Sequence, residues 1–132
     1  MDTKHSILLV DDDREFAKAM KRMFEKSGYG ITIAFDGGEA LELLSHETFD
    51  LIISDLRMPN VDGAELMTEL SRQKIDIPIV FLTAFGEVES YMDVMNLGAF
   101  EYLHKPVRKK EILGVVERAL EHRKKQGQLS KK

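Results

Sequence analysis

The stretch Ile7-Leu8-Leu9-Val10-Asp11-Asp12-Asp13 sets four consecutive apolar residues directly against three carboxylates. A run without polar alternation suits a strand buried on both faces, as in a parallel sheet covered by helices. The abrupt change to Asp marks the carboxyl end of that strand, which is where open α/β sheets carry their ligand sites. Outward from this stretch, runs of strand length recur at Ile31 to Phe35, Leu51 to Ser54, Ile79 to Leu82 and Ala99 to Leu103. Between them lie segments with helical periodicity. Phe16, Met20, Met23 and Phe24 share one face while Arg14, Lys18, Lys21 and Arg22 lie around the other, and Ser27-Gly28 stops the helix. The pattern returns with Ala40, Leu41 and Leu44, then Leu66, Met67 and Leu70, then Val88, Tyr91, Met92 and Met95, then Ile112, Val115, Val116 and Ala119. Methionines on these stripes are expected to fill the core. This βα alternation predicts an α/β fold: a doubly wound five-stranded parallel sheet with helices on both faces.

At 132 residues and 43% hydrophobic content the chain supports one domain and leaves no room for a second. A formal net charge of -4 gives no basic field over a whole face, so direct nucleic-acid binding is not expected. With no cysteine, disulfides, thiolate metal sites and cysteine nucleophiles are excluded. The polar start leads straight into a strand without a signal peptide, and no apolar run approaches the ~20 residues of a membrane helix. A soluble cytoplasmic domain is the expectation. It should occupy residues 1–123, with 124–132 a basic polar tail or the start of a linker. The stretch from Arg123 to Lys132 reads equally well as a helix end with cations near the negative pole and as a linker toward another domain.

The residues that follow the strands carry the chemistry. Asp11, Asp12 and Asp13 follow the first, Asp55 ends the third, Thr83 follows the fourth and Lys105 the fifth. Singly, each has a plain structural reading: a helix cap, a turn residue, a strand end, a solvated lysine. Together they converge on one edge of the sheet, where crowded carboxylates require a cation to stay charged. An all-oxygen set without His or Cys favours a hard ion, and magnesium fits better than calcium because no spaced calcium loop is present. A magnesium ion, an ammonium and a hydroxyl around a carboxylate are the parts needed to transfer a phosphoryl group to that carboxylate, giving an acyl phosphate.

These residues match a known family. The sequence resembles response-regulator receiver domains of two-component signalling, of the chemotaxis-regulator kind. The matching motifs are Ile7 to Asp12, Ser54-Asp55-Leu56-Arg57-Met58-Pro59, Leu82-Thr83-Ala84 and Tyr102-Leu103-His104-Lys105-Pro106. The resemblance implies the flavodoxin-like strand order 2-1-3-4-5. It implies Asp55 as phosphoacceptor and Mg2+, with Mn2+ able to substitute, held by Asp11, Asp12, Asp55 and the backbone carbonyl of Arg57. Thr83 and Lys105 take the switch and phosphate-contacting roles, Tyr102 is the switch aromatic, and the bond before Pro106 is expected to be cis. The implied donor is a histidine kinase or histidine phosphotransfer protein. The implied output is a change in the face of the fourth helix, fifth strand and fifth helix around Tyr102, which would bind an output domain or partner or form a homodimer. Arg57 and Phe85 depart from the usual pattern and are expected to tune the phosphoryl lifetime, Phe85 by shielding the acyl phosphate from water. Asp13 is the spare acid, with N-capping as its expected role.

A rival reading is a phosphohydrolase of the haloacid-dehalogenase type, with Asp11 and Asp13 spaced as nucleophile and acid/base. It leaves Asp55 without a role, finds Arg14 where Thr or Val usually follows, and lacks a later acidic pair. A receiver-like binding domain that is never phosphorylated is opposed by the intact set Asp11, Asp12, Asp55, Thr83 and Lys105. His5, His46, His104 and His122 show no metal spacing, and no Gly-rich phosphate loop follows the first strand, which argues against a nucleotide or flavin site.

Overall fold

The computed structural model describes residues 4–58, 61–84 and 88–130, with the side chains of 88–90 and 126–130 outside the description. Strands and helices alternate as β1 (Ser6–Val10), α1 (Arg14–Lys26), β2 (Gly30–Ala34), α2 (Gly37–His46), β3 (Leu51–Asp55), α3 (Gly63–Arg72), β4 (Ile79–Thr83), α4 (Val88–Asn96), β5 (Glu101–His104) and α5 (Lys109–Ser130). All strand pairs are parallel, in the order β2-β1-β3-β4-β5. The doubly wound flavodoxin-like sheet expected from the sequence is therefore present.

The continuous apolar runs separate onto two faces because successive side chains point in opposite directions. From β1, Leu8 and Val10 join Ile52, Phe81, Leu66 and Val94 in the core under α2, α3 and α4. Ile7 and Leu9 join Ile53, Val80, Leu82, Phe24 and Val116 under α1 and α5. Each fully buried aliphatic or aromatic side chain contributes roughly 1.5–3 kcal/mol, so the two layers hold the sheet rigid beneath its loops. Three helices start on an Asp cap. Asp13, Asp36 and Asp62 each accept from the backbone N–H three residues on, and Asp62 forms a reciprocal box with Glu65.

The structure departs from the sequence reading in several places. Tyr91 and Met92, expected on the core stripe of α4, are 44% and 55% exposed, while Val94 is buried in their place. Met92 is thus not core filler. The run at Ala99 becomes a strand only at Glu101: Gly98, at φ +106°, ends α4 and the Ala99 N–H returns to the Val94 carbonyl, so Ala99 is buried as part of the helix stop. Finally, α5 continues past Arg123 to Ser130. Arg123 is tied to Asp50 at 2.7 Å, where the Asp50 carboxylate also accepts from the Ser6 N–H. Among the described residues no helix is long and apolar enough to cross a membrane.

Candidate functional site

The sheet order brings β1, β3 and β4 side by side, so the residues at their carboxyl ends share one edge. Asp11 follows β1, Asp55 ends β3 opposite Leu82, and Thr83 ends β4 opposite His104. Lys105 follows β5 and donates its backbone N–H to the Thr83 carbonyl at 2.8 Å. Its side chain turns back across the edge of the sheet. The Nζ donates to Asp11 Oδ2 at 2.7 Å and to Asp55 Oδ2 at 3.3 Å, and its side chain is 16% exposed. The Lys105-Pro106 peptide is cis, as expected.

The three carboxylates are held differently. Asp11 is buried, and its Oδ1 accepts from the Asp13 N–H at 2.9 Å. Asp55 is half-buried, and its Oδ1 accepts from the Arg57 N–H at a longer 3.2 Å. Asp12 is exposed. Each offers one oxygen, and these atoms lie within 4.8 Å of one another. Burial is the main influence on the Asp11 carboxyl and pushes it above its ordinary range, against the Lys105 hydrogen bond and with a further push from the Asp55 charge. Burial works against the Lys105 ammonium too, but its bonds and charges toward Asp11 and Asp55 prevail and raise it. The ammonium therefore stays charged while the acidic cluster is left short of positive charge. Three hard oxygen donors around an under-neutralised, buried carboxylate fit a hard divalent cation.

Of the other residues singled out, Thr83 is fully buried and Arg57 is exposed. Tyr102 is 6% exposed and stands edge-on to Tyr91, with ring centroids 5.5 Å apart. Phe85 lies outside the described residues. One member of the site was not anticipated: Phe16, read as an ordinary stripe residue of α1, has its ring 4.2 Å from the Lys105 Nζ. Nothing local to Phe16 in the sequence points to a lysine on the far side of the chain.

Asp13 caps α1, accepting from the Phe16 N–H at 3.1 Å. That is the role expected of the spare acid. The haloacid-dehalogenase reading needs this carboxylate as an acid/base beside Asp11, and it loses support on that ground.

Comparisons with known proteins point the same way. The sequence matches the family described as the response regulator receiver domain over residues 7–117. The transcriptional regulatory protein GlrR of Escherichia coli (strain K12) is 36% identical over 115 residues, which are 87% of this chain and 26% of that protein. The transcriptional regulatory protein FixJ of Bradyrhizobium diazoefficiens is 32% identical over 120 residues, 91% of this chain and 58% of that one. This chain therefore spans less than two-thirds of either relative. A CheY-like response regulator receiver domain protein from Methanospirillum hungatei JF-1 superposes with a TM-score of 0.89 at 28% identity, covering 94% of this chain and 99% of that one. None of this favours a dehalogenase-type enzyme. A match that begins in β1 and ends within α5 identifies the chain as a member of the response regulator receiver domain family, a signalling domain of two-component systems.

Proposed function

We propose that Asp55 accepts a phosphoryl group from a histidine kinase or histidine phosphotransfer protein in the cytoplasm. The domain then passes this change to an output domain or partner. The observation that carries the reading is the Lys105 ammonium bridging Asp11 and Asp55 at the carboxyl edge of the sheet. Asp11, Asp12, Asp55 and the Arg57 carbonyl would hold Mg2+ or Mn2+. Bound there, such an ion would supply positive charge to neutralise the phosphoryl oxygens. An Asp55 oxygen forms the new bond to phosphorus as the donor's bond to phosphorus breaks. Lys105 gives up its long contact to Asp55 for a phosphoryl oxygen while keeping its shorter one to Asp11. Thr83 offers its hydroxyl from β4, and Arg57 sits at the mouth of the site, where it tunes the lifetime of the acyl phosphate, as does Phe85. The same groups, with water as nucleophile, assist dephosphorylation.

Metal binding is tested by thermal unfolding. At a free concentration a hundredfold above its Kd, magnesium stabilises the fold by about 2.7 kcal/mol, which for a domain of this size raises Tm by roughly 8–14 °C. Asp12→Ala is expected to lose most of that rise. Asp13→Ala lowers the starting Tm through its cap but keeps the rise. Equal losses in both would show that Asp12 is not a ligand.

The output face is proposed to be α4, β5 and α5 around Tyr102, which would engage an output domain, a partner protein or a second copy of the chain. Among the described residues Tyr91 and Met92 of α4 are left exposed, and the Tyr91 ring stands against Tyr102, which supports it. A phosphoryl oxygen that draws the Thr83 hydroxyl toward it favours the inward arrangement of Tyr102, and a few kcal/mol suffices to shift the populations. Beryllofluoride with magnesium should move amide NMR signals across this face in the wild type and only around Asp55 in Thr83→Ala. Shifts that reach α5 equally in both proteins would refute the coupling. Residues 1–123 form the signalling unit in this reading, and 124–132 lead away from it.

A further inference from the structure

The Lys105 ammonium has three donor directions, and two of them go to Asp11 and Asp55. The Phe16 ring stands beside the third, with its centroid 4.2 Å from Nζ. We propose that Phe16 is a positioning residue for phosphoryl transfer, its ring face serving as the third wall that keeps the Lys105 ammonium aimed at Asp55. This rests on the phosphoryl-contacting role given to Lys105 above.

Three features make the ring suited to that place. The face of an aromatic ring attracts a cation through its quadrupole, and the attraction strengthens when water is excluded, as it largely is around this lysine. A carboxylate there would add another negative charge to a cluster already short of positive charge, and a polar group would bring water toward an acyl phosphate. The backbone that carries the ring is also fixed. Asp13 accepts from the Phe16 N–H, and the Asp13 N–H in turn donates to Asp11, so the ring, the cap and the buried carboxylate belong to one turn of chain. When Asp55 is phosphorylated, Lys105 has only to exchange one of its contacts. The other two keep its direction.

The test is a series in which Phe16 is replaced by mono-, di- and trifluorinated phenylalanine, which drains the ring face of negative charge at nearly constant shape. Two quantities are read in the full chain: the exchange rate of the Lys105 ammonium protons by 15N NMR without phosphodonor, and the rate of phosphorylation by acetyl phosphate with magnesium. Exchange should quicken stepwise, and phosphorylation should slow stepwise by about three- to tenfold over the series. Neither trend is expected of a ring that merely fills space. In a Lys105→Ala background the series should leave phosphorylation flat. Flat exchange across the series overturns the contact. Graded exchange with unchanged phosphorylation rates overturns the positioning role while leaving the function of Lys105 intact. Graded rates that persist in Lys105→Ala overturn it as well, because the ring then acts through another group. If Lys105→Ala alone is phosphorylated as fast as the wild type, the role assigned to Lys105 fails, and the positioning role falls with it.

Discussion

Asp55→Asn is expected to take up no phosphoryl group from acetyl phosphate and magnesium, with labelling at background by intact mass, while Asp13→Ala is labelled. The site holds more than one carboxylate, and the way each is held selects Asp55. Both Asp11 oxygens are engaged at short range, by the Asp13 N–H at 2.9 Å and by Lys105 at 2.7 Å. Its side chain is 1% exposed, so a phosphodonor cannot reach it. The Asp55 oxygens have the longer contacts of 3.2 and 3.3 Å, and the side chain is 12% exposed at the end of its strand. Asp12 is open to solvent and lacks the lysine at its side, so it has less to stabilise charge in the transition state. An amide oxygen at position 55 is a far weaker nucleophile than a carboxylate. Full labelling of Asp55→Asn at another acid of the edge would show that the wrong carboxylate has been chosen.

The elements that place these groups could be read from the chain because their signals were local and strong. The strands β1, β3 and β4 are buried on both faces, and two-sided burial demands uninterrupted apolar runs. The change to a polar residue at the end of each run then marks the edge of the sheet, which is how Asp11, Asp55 and Thr83 come to light. Asp13 as a cap is likewise a short-range property, decided within three residues.

What the chain did not disclose depends on contacts between distant segments. In α4 the apolar residues Tyr91, Met92, Val94 and Met95 form overlapping stripes. A helix that meets the sheet through one narrow face can bury only part of them, and periodicity alone does not say which. The choice of Val94 follows from how α4 packs against α3 and β5. The apolar pattern carries the second strand to Phe35, but β2 stops at Ala34, and the Arg14 guanidinium instead lies 4.0 Å from the centroid of the Phe35 ring. Phe16 beside Lys105 is the same kind of case. Apolar character marked the ring correctly as inward-facing, and only the assembled fold shows that a cation shares the space.

Two glycine substitutions of the same chemistry should have opposite effects: Gly63→Ala is expected to destabilise the fold by about 1–3 kcal/mol, and Gly114→Ala to stabilise it by about 0.5–1 kcal/mol. At the start of α3, a Cβ on Gly63 would lie 2.5 Å from Phe81 Cε1 and 3.0 Å from Leu56 Cα. Phe81 is fully buried and Leu56 is buried backbone directly after Asp55, so neither has room to yield. A Cβ on Gly37, at the start of α2, would meet the Val61 carbonyl oxygen at 2.4 Å. The Leu56 and Val61 contacts fall on the connection between β3 and α3, the segment that carries Arg57. Relieving the clash at Gly63 must push this connection outward, so Gly63→Ala should also weaken magnesium binding, since the Arg57 carbonyl is a proposed ligand. Gly114 sits inside α5, where an added Cβ finds nothing closer than an Arg118 guanidinium nitrogen at 3.7 Å, ordinary contact with the end of a flexible side chain. There the methyl group only reduces the freedom of the unfolded chain and improves the helix. Urea unfolding without metal gives both stabilities, and a magnesium titration of each folded variant gives the affinity. A neutral Gly63→Ala with unaltered affinity would mean that the connection has slack, and that close packing of α3 against β4 is not what places Arg57 beside Asp55.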